Sequence, residues 1–137
     1  MKIDPYLTFD GQCEAAFKFY AQCLGGEITA MFTFGETPAA EHVPADARDK
    51  IMHARLTVGD QALMGSDCTP EHPYEGVQGC SVSLNIAKPA DAERIFSALS
   101  ENGKVQMPMA ETFWAERFGI LVDRFGVPWM VNCERPA

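Results

Sequence analysis

One part of this sequence repeats another, and that duplication constrains the fold more than any single motif. Moving residues 6–31 forward by 77 positions lays Leu7 on Leu84, Phe9 on Ile86, Ala15 on Ala92, Phe19 on Phe96 and Gly26 on Gly103. Two copies of a small βα unit are implied. A solenoid needs at least three repeats to cover its core, so two copies are expected to pack side by side around a shared cleft. That cleft is where function is expected.

The 137 residues, 47% of them hydrophobic, suffice for one compact domain or two half-size modules folded as a unit. No run approaches the ~18 apolar residues of a membrane span, and Met1-Lys2-Ile3-Asp4-Pro5 lacks the basic-then-apolar pattern of a secretion signal. A soluble, cytoplasmic protein is the expectation. With 19 acidic against 11 basic residues, the net charge of −8 repels phosphate backbones and anionic lipid, so neither nucleic acid nor membrane is an expected partner. The cysteines (Cys13, Cys23, Cys68, Cys80, Cys133) are odd in number and form no Cys-x-x-Cys pair, which reads as buried thiols rather than a disulfide framework or zinc knuckle.

Residues 5–10 alternate, with Leu7 and Phe9 on one side and Tyr6 and Thr8 on the other, as a half-buried strand does. From Gln12 to Leu24 the period becomes helical through Ala16, Phe19, Tyr20, Cys23 and Leu24, and Gly25-Gly26 ends the helix. Glu27 to Phe34 alternates again. Residues 35–50, with Pro38 and Pro44, read as an excursion. Ile51 to Val58 and Gln61 to Gly65 form a hairpin about Gly59-Asp60. A linker over 66–79 joins this module, residues 1–68, to a second at 79–135. There Cys80 to Ile86 restarts the pattern, Pro89 opens a helix carrying Ala92, Ile95, Phe96 and Leu99, and Asn102-Gly103 ends it. Strands follow at Val105 to Met109, Phe118 to Asp123 and Val127 to Cys133. The fold class is α+β: paired βαβββ modules with mostly antiparallel, curved sheets around a cleft.

If each helix covers one sheet face, the other is polar and carries Tyr6, Thr8, His53, Arg55, Ser81, Ser83 and Asn85. Such a face is either a plain hydrated surface or the wall of a site. His53 is a candidate general base or lone metal ligand, or it simply hydrogen-bonds across the sheet. Glu111, Phe113, Trp114 and Arg117, with Trp129 beyond the last turn, form a charged and aromatic cluster suited to clamping a flat or anionic molecule. The same group also suits a hydrophobic plug with an ion pair, or a dimer contact. Asp67 and Asp123 lie near strand ends, where turn formation accounts for them.

These features together resemble the PhnB-like branch of the vicinal oxygen chelate superfamily, which includes glyoxalase I, bleomycin and fosfomycin resistance proteins and extradiol dioxygenases. The resemblance is carried by Pro5-Tyr6-Leu7-x-Phe9-x-Gly11, Glu14-Ala15 with Phe19-Tyr20, Leu24-Gly25-Gly26, Met52-His53-Ala54, Met64 with Ser66-Asp67, Gly103-Lys104-Val105, Glu111-Thr112-Phe113-Trp114, Arg117-Phe118-Gly119 and Asp123-Arg124-Phe125-Gly126-Val127-Pro128-Trp129. It implies a small-molecule ligand, a homodimer, and in metal-using relatives a divalent ion held by a histidine from an opening strand and a glutamate from a closing strand. Neither residue type occurs in the corresponding stretches here, Pro5 to Phe9, Ala62 to Gly65, Ser81 to Ile86 and Trp129 to Asn132, so the metal ligands and the cofactor remain unassigned. The expected function is a lyase, isomerase or dioxygenase type of enzyme with His53 and Glu111 as acid/base candidates. Tyr6, Thr8, Arg55, Ser83, Asn85, Phe113, Trp114, Arg117 and Trp129 are the ligand-binding candidates. A protein that sequesters a drug or metabolite is the alternative. The ubiquinone-pathway methyltransferase label attached to some PhnB-like sequences fits less well, because the chain has no Gly-x-Gly loop after a strand and is too short for a doubly wound nucleotide-binding sheet.

Overall fold

The computed structural model describes residues 1–136 and divides into two compact units, Met1–Gly76 and the chain from Val77 onward. In the first unit the elements are β1 (Tyr6–Phe9), α1 (Cys13–Leu24), β2 (Glu27–Thr33), three short 3-10 turns between Phe34 and Ala47, β3 (Ile51–Val58) and β4 (Gln61–Asp67). The second contains β5 (Val82–Asn85), α2 (Pro89–Ser100), β6 (Lys104–Ala110), β7 (Ala115–Val122) and β8 (Pro128–Glu134). Each unit is therefore βαβββ.

The two sheets share one topology. The orders are β1-β4-β3-β2 and β5-β8-β7-β6, with β1–β4 and β5–β8 parallel and the other pairs antiparallel. The parallel pair follows from the repeat: the first strand leads into a helix that crosses one face, so the return strands meander to the far side and the last closes beside the first.

Alternation along β1 buries Leu7 and Phe9 and leaves Tyr6 and Thr8 exposed, as the sequence pattern requires. Against those apolar side chains lies α1, whose buried stripe is Cys13, Ala16, Phe17, Tyr20 and Cys23. Phe17 takes the place expected for Phe19, which is only half-buried. Its ring packs edge-on to Phe9 at 6.1 Å. The spacing 13, 16, 17, 20 keeps one face of a 3.6-residue helix, whereas position 19 falls beside it. In the second unit α2 buries Ala92, Ile95, Phe96 and Leu99 over Leu121, Trp129 and Val131.

Strand ends differ from the sequence reading in two places that matter. β4 runs through Ser66 and Asp67, which are strand rather than linker, because the buried Asp67 carboxylate accepts from the Cys13 amide at 3.0 Å and the Ile51 amide at 2.8 Å. It thereby caps α1 from outside the helix and fixes the start of β3. β7 begins at Ala115, which brings Arg117 into the strand.

Three cysteines, Cys13, Cys23 and Cys133, are buried, Cys68 is half-buried and Cys80 is exposed, all of them free thiols. Burial, reinforced by the charges of Asp67 and Glu14, pushes the Cys13 thiol far above its ordinary range, so it remains protonated and unreactive.

Candidate functional site

Each sheet has one face under its helix and one face that its own unit leaves open. Register defines the open face of the first unit. Tyr6 and Thr8 of β1 lie opposite Met64 and Ser66 of β4; on β3, Arg55 lies between Met64 and Ala30, and His53 opposite Phe32 of β2. The Tyr6 hydroxyl and His53 Nδ1 are 3.2 Å apart, and the two rings stack with centroids at 5.9 Å and planes at 28°. Tyr6 is 50% and Phe32 46% exposed, so the aromatic surface here is presented rather than packed away.

Four sequence candidates thus meet on one face: Tyr6, Thr8, His53 and Arg55. Phe32, Met64 and Ser66 join them, and the sequence reading missed these. Alternation in β2 was visible, but irregular register between Ile28 and Ala30 and between Phe32 and Thr33 sets which of its residues face His53, and such shifts leave no simple periodic trace.

On the open face of the second sheet, Ser83 lies opposite Met130, Asn85 opposite Asn132, and Phe118 and Ile120 of β7 complete the row. Asn132 Nδ2 donates to Asn85 Oδ1 at 3.1 Å, while Asn132 Oδ1 is buried with no hydrogen-bond partner among the described residues. Trp114 packs edge-on to Phe118 at 5.3 Å and to Phe113 at 4.8 Å, and Phe113 itself is 90% exposed. Ser81, just before β5, is exposed.

The remaining candidates are placed elsewhere. Arg117 lies opposite Cys133, on the helix side, where its Nε pairs with Glu93 of α2 at 3.1 Å. Trp129 is fully buried under α2, with Nε1 donating to the Asp123 carboxylate at 2.9 Å, so it is a core ring rather than the wall of an open face. The expected cluster is split because β7 starts three residues earlier than its apolar pattern suggests, which turns Arg117 to the helix side. Glu111 is held by Arg135 at 3.2 Å and has no partner among the open-face residues. His42 and His72 are exposed.

The donor set does not suit the metal centre that the fold suggests. Opening and closing strands face each other as Tyr6 with Met64, Thr8 with Ser66, Ser83 with Met130 and Asn85 with Asn132, all neutral hydroxyl, thioether or amide groups. Among the described residues no three His, Cys, Asp or Glu side chains gather to hold an ion. Divalent transition metals favour imidazole, thiolate and carboxylate, so no chemical step is assigned to an ion here.

Paired βαβββ units with one helix per mixed sheet define the glyoxalase and bleomycin resistance type of fold. The fosfomycin resistance protein FosX of Listeria monocytogenes shows the same fold at 5% identity, a TM-score of 0.66, and coverage of 98% of this chain and 94% of its own. Closer in sequence is protein PA1353 of Pseudomonas aeruginosa, whose crystal structure is 57% identical with a TM-score of 0.91 and 99% of each chain covered. YjdN of Escherichia coli K12 is 36% identical over 140 residues, 96% of this chain and 95% of its own. Residues 1–132 match the family described as 3-demethylubiquinone-9 3-methyltransferase, and the chain belongs to that family.

Proposed function

We propose that this chain is a small-molecule-binding enzyme of the vicinal oxygen chelate type, acting on a carbonyl compound through an enolate-like intermediate with His53 as general base. The observation that carries this reading is the Tyr6–His53 pair on the open face. Of its two hydrogen-bonding arrangements, one suits a base at Nε2: Nδ1–H donates to the Tyr6 oxygen, fixing the tautomer and leaving the Nε2 lone pair to accept a proton. Thr8 and Ser66 supply hydroxyl donors on the same face, where a developing enolate oxygen needs them. Glu111 is not part of this arrangement, given its pairing with Arg135.

The chain lacks the features that the methyltransferase description of its family would require of a doubly wound nucleotide-binding fold. Both sheets are mixed, and the β1–α1 turn holds the single glycine Gly11 while the β5–α2 turn holds none, unlike the Gly-rich turns of doubly wound nucleotide-binding sheets.

Proton exchange provides the test. In deuterated water the protein is expected to catalyse exchange of the α-protons of at least one member of a panel of small α-hydroxycarbonyl compounds, followed by NMR. His53→Gln is expected to lower that rate by about 10²-fold or more, the usual span for a general base, and Tyr6→Phe by less. Ligand binding with no exchange of any member would favour the sequestering alternative.

The proposed assembly is a homodimer in the cytoplasm. Its support is β6, which is exposed over most of its length, with Val105 at 44% and Met107 at 46%, followed in the chain by the exposed Phe113 and Trp114. A single-subunit mass in light scattering would contradict it. Among the described residues no helix is long and apolar enough to cross a membrane.

A further inference from the structure

We propose that the open face of the first sheet recognises an oxyanion, a carboxylate or phosphate group on a flat apolar body, with Arg55 as the anion's partner. This rests on the reading of that face as a ligand site. It adds the chemical class of the ligand and the residue that selects it.

Charge pairing and position together single out Arg55. The chain has six arginines among 19 acidic side chains. Arg94, Arg117, Arg124 and Arg135 lie beside carboxylates of Asp91, Glu93, Glu101 and Glu111, at 3.6, 3.1, 3.7 and 3.2 Å. Arg48 lies outside the sheet, after the last 3-10 turn. Arg55 stands on β3, an inner strand with a neighbour on each side, yet its guanidinium has no hydrogen bond or ion pair among the described residues.

The surroundings explain why it is free. Its open-face neighbours are Ala30 and Met64 across the ladder and His53 and Thr57 along the strand, none of them acidic. The first acid met in register on that side is Glu27, opposite Thr57 toward the end of the sheet. In so acidic a chain, an acid-free patch around a planar five-donor fork leaves the fork available to an external carboxylate or phosphate. The stacked Tyr6 and His53 rings, with Phe32 opposite His53, give the rest of such a ligand a flat apolar surface beside the charge.

Calorimetric titration of the full chain with phenyl phosphate, benzoate and neutral benzyl alcohol tests this. At least one of the two anions is expected to bind, and benzyl alcohol to bind about tenfold more weakly or not at all, since a charged fork loses its partner when the ligand is neutral. Arg55→Gln is expected to weaken the anion about tenfold or more, whereas Arg48→Gln, the same charge change off the face, leaves it within about twofold. Arg55 is exposed, so the variant should keep its fold, which circular dichroism verifies. Anion binding unchanged by Arg55→Gln overturns the proposal. Benzyl alcohol binding as tightly as the anions, and lost on Phe32→Ala, overturns the oxyanion assignment while leaving the face as a ligand site. No binding by any of the three at millimolar concentration overturns the oxyanion proposal, and α-proton exchange then decides the wider reading separately.

Discussion

Asp123→Asn is expected to destabilise the protein by about 3 kcal/mol, because it removes a charge that two buried donors and one half-buried donor share. Asp123 is 4% exposed; its Oδ1 accepts from the amides of Phe125 at 2.8 Å and Val127 at 3.0 Å, and its Oδ2 from the Trp129 indole at 2.9 Å. The carboxylate thus closes the turn before β8 and fixes the largest ring of the second core at once. Asparagine keeps the shape but offers one oxygen, so its NH₂ group must face either the two amides or the indole, donor against donor. Each orphaned buried donor costs about 1–3 kcal/mol and each lost charge-assisted bond a similar amount, and because these overlap the total is less than their sum. At roughly 4 °C per kcal/mol for a chain of this size, the expected fall in Tm is about 12 °C. Thermal unfolding followed by circular dichroism measures it. A fall under about 3 °C would mean that the turn closes without the carboxylate.

The second large effect is expected at the glycines that the repeat places in register, Gly26 and Gly103. Both follow a helix and precede a strand that crosses close to a partner strand. A Cβ on Gly103 would lie 2.5 Å from the Val122 carbonyl oxygen and 3.0 and 3.1 Å from Asp123 Cα and C, all backbone atoms. On Gly26 it would lie 2.7 Å from the Thr57 carbonyl oxygen, 2.8 Å from Val58 Cγ2 and 3.1 Å from Leu56 Cδ1. Space rather than backbone conformation demands glycine, since neither residue has positive φ. Gly103→Ala must push β6 away from β7, at about 2–3 kcal/mol, typical of an overpacked core. Gly26→Ala is expected to cost less, because two of its three close neighbours are side-chain ends that can turn aside. Urea unfolding of the two variants gives both numbers. Equal and negligible losses would show that the strand crossings relax freely.

The repeated glycines also show what the sequence made legible. The 77-residue offset finds them because close backbone approach admits only one residue type, whatever the surrounding sequence. Alternation in β1 and β3 likewise reveals which side chains share a face, so the grouping of Tyr6, Thr8, His53 and Arg55 on one side of the first sheet is legible from sequence. What periodicity does not encode is register and partner choice. Phe32 meets His53 only through the irregular register of β2, Arg117 turns to Glu93 because β7 starts early, and Glu111 is taken by Arg135 from beyond the last strand. Trp129 looked like a ligand clamp because a tryptophan after a turn fits a site as well as a core. What settles it is the Asp123 carboxylate six residues earlier, which accepts from the buried indole.

The most direct test of the account is a map of backbone amide shifts on adding the tightest ligand from the calorimetric series. A ligand on the open face should perturb Tyr6, Thr8, Phe32, His53 and Arg55 most, and the buried Phe17, Tyr20 and Leu56 of the helix side little. Shifts concentrated on α1, or on the Arg117–Glu93 side of the second sheet with β1 and β3 unchanged, would contradict it.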